Sequence, residues 1–212
     1  LPAPGDTREN LSVIEEKTGL QYRFIFPGPT WNQADLEAAE AILLPLVKPA
    51  DLVVLSGSMP PGLAPSSLVE LAKVVCDAGG DVVCDTSGAA LSEIAQAGLN
   101  LKVLRMDSAE AEELTGRDLA TRDESAAAAA DLVSAGAAEI AIIARGPEGS
   151  VLATAEERWF APAAKVPVVS VTGAGDSFVA GATLALSRGL PLPEVLRWGV
   201  SAASAAVTTE AT

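Results

Sequence analysis

The 212-residue chain contains no histidine. That absence removes Ser-His-Asp and Cys-His nucleophile systems, HExxH metalloproteases and every His-ligated zinc or haem site. Acid–base chemistry is left to carboxylates, lysine, cysteine or tyrosine. Cysteine is nearly as scarce. Cys76 and Cys84 are the only two, too few for a disulfide framework or a four-thiolate zinc site, and they form no CxxC pair. Both read as buried apolar residues in a reducing compartment. Positive charge is also short, with 14 Lys and Arg against 28 Asp and Glu and a net charge of −14. Such a balance opposes binding to nucleic acid or anionic membrane surfaces, although it leaves room for a local anion pocket. No apolar run reaches the roughly 18 residues that span a bilayer, and the N-terminus lacks the basic and apolar regions of a signal peptide. The expectation is a cytoplasmic protein with neither a nucleic-acid nor a membrane partner. The start, Leu1-Pro2-Ala3-Pro4, has no initiator Met and reads as though upstream residues are missing.

What is present is core material: 49% of residues are hydrophobic and only 20% charged, far from the composition of a disordered chain. Short β-branched runs alternate with longer Ala- and Leu-rich amphipathic stretches. The period predicts strands at 21–26, 52–56, 81–85, 102–105, 140–144, 151–154 and 158–161. It predicts helices at about 33–47, 66–78, 92–97, 109–115, 124–134, 175–187 and 192–208. This βαβα order implies an α/β fold, a largely parallel sheet with helices on both faces and ligands at the carboxyl ends of the strands. Residues 10–26 differ, reading as two strand-like stretches around a Thr18-Gly19 turn. They form either a small separate β element or an edge hairpin of the main sheet.

The most informative stretch is Val168-Val-Ser-Val-Thr-Gly-Ala-Gly-Asp-Ser-Phe-Val-Ala-Gly181. An extended segment enters a tight turn and leaves as a helix, so the amides of Gly173, Ala174, Gly175 and Asp176 can converge on an anion. Asp176 stands in the first helical turn, where a carboxylate can take a proton from a hydroxyl while the amides stabilise a transferred phosphoryl group. The bland alternative is that Asp176 merely favours the helix N-terminus. The stretch is neither a GxxxxGK[ST] P-loop nor a GxGxxG dinucleotide fingerprint. Leu55-Ser-Gly-Ser-Met-Pro-Pro-Gly62 and Asp85-Thr-Ser-Gly88 also end strands. They add hydroxyls, amides and a carboxylate to the same sheet edge, unless each is an ordinary turn with a helix cap.

The GSMPPG, DTSG, AEAEELTGR and TGAGDSFVAG segments, in this order and spacing, resemble the PfkB branch of the ribokinase-type carbohydrate kinases over essentially the whole chain. Within it, the strings Gly5-Asp-Thr-Arg-Glu-Asn10 and Gln21-Tyr-Arg-Phe-Ile-Phe-Pro-Gly-Pro29 are more similar to the minor ATP-dependent 6-phosphofructokinases than to the fructose 1-phosphate kinases. The resemblance implies a three-layer ribokinase-like core over residues 31–212, with residues 1–30 forming part of a small β lid and the return to the core. It implies phosphoryl transfer from MgATP to the C1 hydroxyl of fructose 6-phosphate. In that reading Asp176 is the catalytic base, and Gly173, Ala174 and Gly175 form the anion hole. Arg8 and Ser58 bind the sugar 6-phosphate, Arg8 through a charge-assisted fork; their plain alternatives are a solvated charge and a turn hydroxyl. Gly146 and Gly149 match the nucleotide-side turn.

Departures from the family pattern fall on the nucleotide and metal side. Where the family usually reads Lys-Pro-Asn-x-x-Glu, this chain has Arg105-Met106-Asp107-Ser108-Ala109-Glu110. Arg105 is carried over as a nucleotide-binding residue. Asp107 and Glu110 are candidates for a hydrated Mg²⁺, with a helix cap as the alternative for Asp107. Ala144 stands where a hydroxyl usually meets ATP. Relatives run to roughly 300 residues, still compatible with one α/β domain. The resemblance therefore implies that the first strands, a glycine-rich sugar site, half of the lid and the last helix are absent from these 212 residues. The expected partners are a sugar phosphate, ATP and a second copy of the chain paired through the lid. Fructose 1-phosphate or tagatose 6-phosphate are alternative substrates, and a catalytically silent nucleotide-binding fragment is the alternative function. A dinucleotide-dependent reductase would need the GxGxxG turn that is missing.

Overall fold

Strands of the main sheet arise where apolar side chains alternate across a pleat, so that sheet feeds two cores at once. The computed structural model describes residues 4–18 and 20–209; Gly19 of the expected turn, Leu1 to Ala3 and Glu210 to Thr212 lie outside the described residues. β1 (Asn10–Ile14) and β2 (Gln21–Ile25) pair antiparallel as a two-stranded sheet of their own. Of the two readings offered for residues 10–26, the separate β element is the one observed.

The main sheet holds β3 (Leu52–Ser56), β4 (Asp81–Asp85), β5 (Leu101–Asp107), β6 (Ala138–Ala144), β7 (Gly149–Ala153) and β8 (Arg158–Pro162) in that spatial order. β3 to β6 are parallel, but β7 and β8 run antiparallel. The short turn Gly146–Glu148 between β6 and β7 is too short for the crossover that a parallel partner requires.

Helices α1 (Gln33–Leu43), α2 (Ser67–Asp77), α3 (Gly88–Gln96), α4 (Ser108–Thr115), α5 (Arg122–Ser134), α6 (Ala174–Ser187) and α7 (Leu192–Ala206) fill the connections. α1 ends four residues earlier than its apolar pattern suggests. Pro45 has no N–H to continue the ladder, and residues Leu44–Leu46 close a single 3₁₀ turn instead. α3 begins at Gly88 rather than at 92, since Gly88 takes the φ of +59° that opens the helix.

Alternation sorts the core. Val82, Cys84, Leu104, Met106 and Ile143 face α2, α3 and α5, whereas Val83, Val103, Ile142 and Leu152 face α6 and α7. Cys84 is fully buried, and burial pushes its thiol up to about 12, so it acts as a small apolar residue. Cys76 is only half-buried. No described helix is long and apolar enough to cross a membrane.

Candidate active site

The same alternation that buries Val83 and Val103 under α6 carries Asp85, Arg105 and Asp107 to that face at the carboxyl ends of β4 and β5. Ser56, Asp85 and Arg105 are consecutive partners in the sheet register. Arg105 Nη1 donates to Asp85 Oδ1 at 3.0 Å, with the two side chains 13% and 12% exposed. The guanidinium lies against the start of α6. A Cβ on Gly175 would sit 3.2 Å from Arg105 Nη1, and the Phe178 ring centre is 5.8 Å from the guanidinium carbon. Glycine at 175 thus lets the guanidinium lie close against the turn without displacement. Arg105 Nε is buried without an acceptor among the described residues.

The turn is an N-terminus with donors to spare. Gly173 caps α6 with φ +79°, a conformation that suits only glycine at no cost, and Ser177 N–H bonds to its carbonyl at 2.9 Å. Ala174 N–H is spent on Val171 O at 3.3 Å. That corrects the four-amide expectation: Gly173, Gly175 and Asp176 keep N–H groups with no acceptor among the described residues, and Ala174 contributes position rather than a donor. Asp176 is exposed and, among the described residues, has no ion pair or side-chain hydrogen bond. Its charge acts on Asp85, whose carboxyl is raised above the usual range by burial first, with Arg105 opposing and Asp176 and Asp107 adding to the rise.

Asp107 and Glu110 form a reciprocal cap on α4. Glu110 N–H donates to Asp107 Oδ1 at 2.9 Å, and Asp107 N–H to Glu110 Oε2 at 2.7 Å. The helix-cap reading of Asp107 thus describes what it does in the fold. Each carboxylate keeps one oxygen outside the cap, and this oxygen-only donor set suits a divalent cation that retains several waters. Burial raises the Glu110 carboxyl above its usual range, with the hydrogen bond from the Asp107 amide and the Arg105 charge opposing the rise and the Asp107 and Asp85 charges adding to it.

Beside the turn opens a cavity of about 710 Å³, mostly apolar, of a size that fits a nucleotide. Its walls are Arg105, Gly175 and Phe178 at one end, Ala144, Gly146, Gly149 and Ser150 along one side, and residues 163–168 with Val200, Ala203, Ser204 and Val207 on the other. Gly149 has φ +123°, and a Cβ there would lie 2.0 Å from Ala161 O, so the close approach of β7 and β8 depends on it. Ala144 is indeed without a hydroxyl, but its cross-strand partner is Ser150, 3% exposed, on the same wall. Sequence reading missed Ser150; its signal was the Gly146–Glu148 turn, which sets residue 150 opposite residue 144. It also missed Arg145, whose buried side chain holds that turn from behind.

Arg8 and Ser58 are brought together, with Arg8 Nη1 donating to Ser58 Oγ at 3.4 Å, both exposed. This pair is linked to the turn through the loop: Gly57 N–H donates to Asp85 O at 2.9 Å, Thr86 Oγ1 donates to Gly57 O at 2.9 Å, and Asp85 holds Arg105.

An α/β sheet whose carboxyl edge carries a helix N-terminus with free amides, a first-turn carboxylate and an adjoining nucleotide-sized cleft is an arrangement that can receive a phosphate group. The chain belongs to the pfkB family of carbohydrate kinases, whose pattern it matches over residues 1–212. It is 34% identical over 212 residues to the ATP-dependent 6-phosphofructokinase isozyme 2 of Mycobacterium tuberculosis, covering 100% of this chain and 62% of that protein. It is 34% identical over 195 residues to the 1-phosphofructokinase of Rhodobacter capsulatus, covering 92% and 61%. Phosphofructokinase-2 from Escherichia coli in complex with fructose-6-phosphate superposes with a TM-score of 0.86 at 33% identity, over 93% of this chain and 64% of that one. The tetrameric inhibited form of the same enzyme gives 0.88 at 34%, over 95% and 66%. The chain thus spans about three-fifths to two-thirds of the length of the relatives it matches.

Proposed function

We propose that the protein is an ATP-dependent sugar-phosphate kinase that phosphorylates the C1 hydroxyl of fructose 6-phosphate to give fructose 1,6-bisphosphate. The observation that carries this reading is the Gly173–Asp176 turn, which meets the cleft at Ala174 and Gly175 and which, among the described residues, has three amides without an acceptor and an exposed carboxylate without a side-chain partner. Asp176 accepts the proton of the attacking hydroxyl, and the Gly173 and Gly175 amides with the Arg105 guanidinium stabilise the charge spread over the transferred phosphoryl oxygens. Gly146, Gly149 and Ser150 line the nucleotide's side of the cleft. Asp107 and Glu110 hold a hydrated Mg²⁺, which when bound neutralises phosphate charge. Arg8 and Ser58 take the sugar 6-phosphate through charge-assisted bonds.

The apolar face of the β1–β2 hairpin supports a second copy of the chain as partner. Leu11 pairs with Phe24 and Val13 with Tyr22 in register, and all four are exposed. A cytoplasmic setting follows from the substrates. The fructose 1-phosphate reading is favoured by one observation, the 34% identity to a 1-phosphofructokinase.

ADP release from MgATP by the product of the intact gene, with fructose 6-phosphate, fructose 1-phosphate, tagatose 6-phosphate and no sugar compared, tests the reading. The highest kcat/KM is expected with fructose 6-phosphate. Preference for fructose 1-phosphate would transfer the assignment to that substrate, and no sugar-dependent release would make the protein a silent nucleotide binder.

A further inference from the structure

Arg145 is a charged residue with 5% of its side chain exposed, in a place where burial of an arginine is costly unless its donors are satisfied. They are. Nη1 donates to Leu119 O at 2.8 Å, to Thr121 O at 3.0 Å and to Ser125 Oγ. Nη2 donates to Ala120 O at 2.8 Å and to Glu148 Oε1 at 3.1 Å, and Nε to Glu148 Oε2 at 3.4 Å. One guanidinium therefore gathers three successive carbonyls of the α4–α5 loop and the carboxylate of the β6–β7 turn. Arg145 N–H also bonds Gly149 O at 2.8 Å, and Glu148 N–H bonds Arg145 O at 3.2 Å. The turn is thus closed by backbone bonds and bolted from behind by a planar fork that lysine cannot reproduce.

What the bolt holds in place is a cavity wall. Ala144, Gly146, Pro147, Gly149 and Ser150 line the cleft, whereas Arg145 does not. We propose that Arg145 is a positioning residue for the nucleotide: it touches no substrate, but sets the depth of the Gly146–Gly149 turn and with it the Ser150 hydroxyl. This rests on the kinase reading for the identity of the ligand, and on the hydrogen-bond geometry alone for the ordering of the turn. The sugar-phosphate pair Arg8 and Ser58 is tied to β3 and β4 instead, so a loosened turn acts on one substrate only.

The test uses the product of the intact gene with Arg145→Lys and, in case that variant folds poorly, Glu148→Gln, whose half-exposed side chain can be changed without emptying the core. Ser125→Ala is the comparison, removing one acceptor of the same guanidinium from the α5 side, away from the turn. Arg145→Lys is expected to raise the KM for MgATP at least about fivefold and Glu148→Gln about two- to threefold, from the roughly 1 kcal/mol that a net hydrogen bond contributes. The KM for sugar phosphate and kcat should stay within about twofold, and Ser125→Ala should lower the melting temperature while leaving the KM for MgATP unchanged. Amide exchange without substrate is expected to quicken in residues 146–150 of both turn variants. Unchanged exchange there, or a KM for MgATP that rises in all three variants in proportion to lost stability, overturns the inference with the kinase reading intact. Faster exchange in a protein whose wild type shows no protection by MgATP supports the ordering role and overturns the kinase reading instead.

Discussion

Asp85 shows that a buried ion pair need not be a source of stability. Burial lifts its carboxyl, Arg105 pulls it down, and Asp176 and Asp107 lift it again, with the rise as the net result. A carboxyl raised in the folded state binds its proton more tightly there than in the unfolded chain. Its contribution is full below the unfolded value near 3.8 and is lost as pH rises through the raised folded value. Asp85→Asn should therefore match the wild type near pH 3 and gain relative stability as pH rises towards 7, measured by urea denaturation. A relative loss over that range would mean that the Arg105 pair outweighs burial. Ser150→Ala belongs to the same scale: it removes the hydroxyl opposite Ala144, and the KM for MgATP should rise by roughly three- to tenfold, one net hydrogen bond's worth, with the melting temperature nearly unchanged. Arg8→Ala should raise the KM for sugar phosphate by about 10- to 100-fold, the value of a charge-assisted bond, and leave that for ATP alone. At this scale the sequence shows residues whose neighbours carry meaning, such as Asp176 after Gly-Ala-Gly. It does not show Arg145, because backbone carbonyls of a distant loop satisfy that side chain and a carbonyl has no residue type.

Elements were legible wherever one period dominated. β3 to β6 and the helices between them follow from apolar runs and caps, and Asn32, Asp107 and Thr121 each close a reciprocal cap on the helix that follows. The direction of β7 was not legible from a run of apolar residues, because parallel and antiparallel partners bury the same side chains; only the length of the Gly146–Glu148 turn decides it. The use of the Ala174 amide on Val171 was equally hidden, being a matter of turn geometry. The β1–β2 hairpin was legible as strands but not in its attachment, since its exposed face offers no core pattern to place it. If that face is a dimer contact, Phe24→Asp should shift the protein to a smaller assembly in sedimentation velocity with its far-ultraviolet circular dichroism kept. An unchanged assembly would remove the hairpin from the interface.

At the scale of the whole molecule, two cores share one sheet, and the active edge lies where the face under α6 and α7 runs out. There the parity that buries Val103 and Ile142 delivers Arg105 and Ala144 to the cleft, and the parity of Val83 sets Asp85 behind Arg105 as its partner. The register places Asp85 and Arg105 side by side at that rim, and loops bring the Gly173 turn and the Arg8–Ser58 pair to it, an arrangement that suits the proposed phosphoryl transfer, in which a protein contributes mainly positioning. The central claim is that Asp176 is the base on that rim. The measurement that tests it most directly is single-turnover phosphoryl transfer by Asp176→Asn beside the wild type, with MgATP and fructose 6-phosphate affinities determined in parallel. The chemical step should slow by roughly 10²- to 10⁴-fold with both affinities within about threefold. A variant that keeps the wild-type rate would show that the proton leaves by another route and that Asp176 serves only the helix.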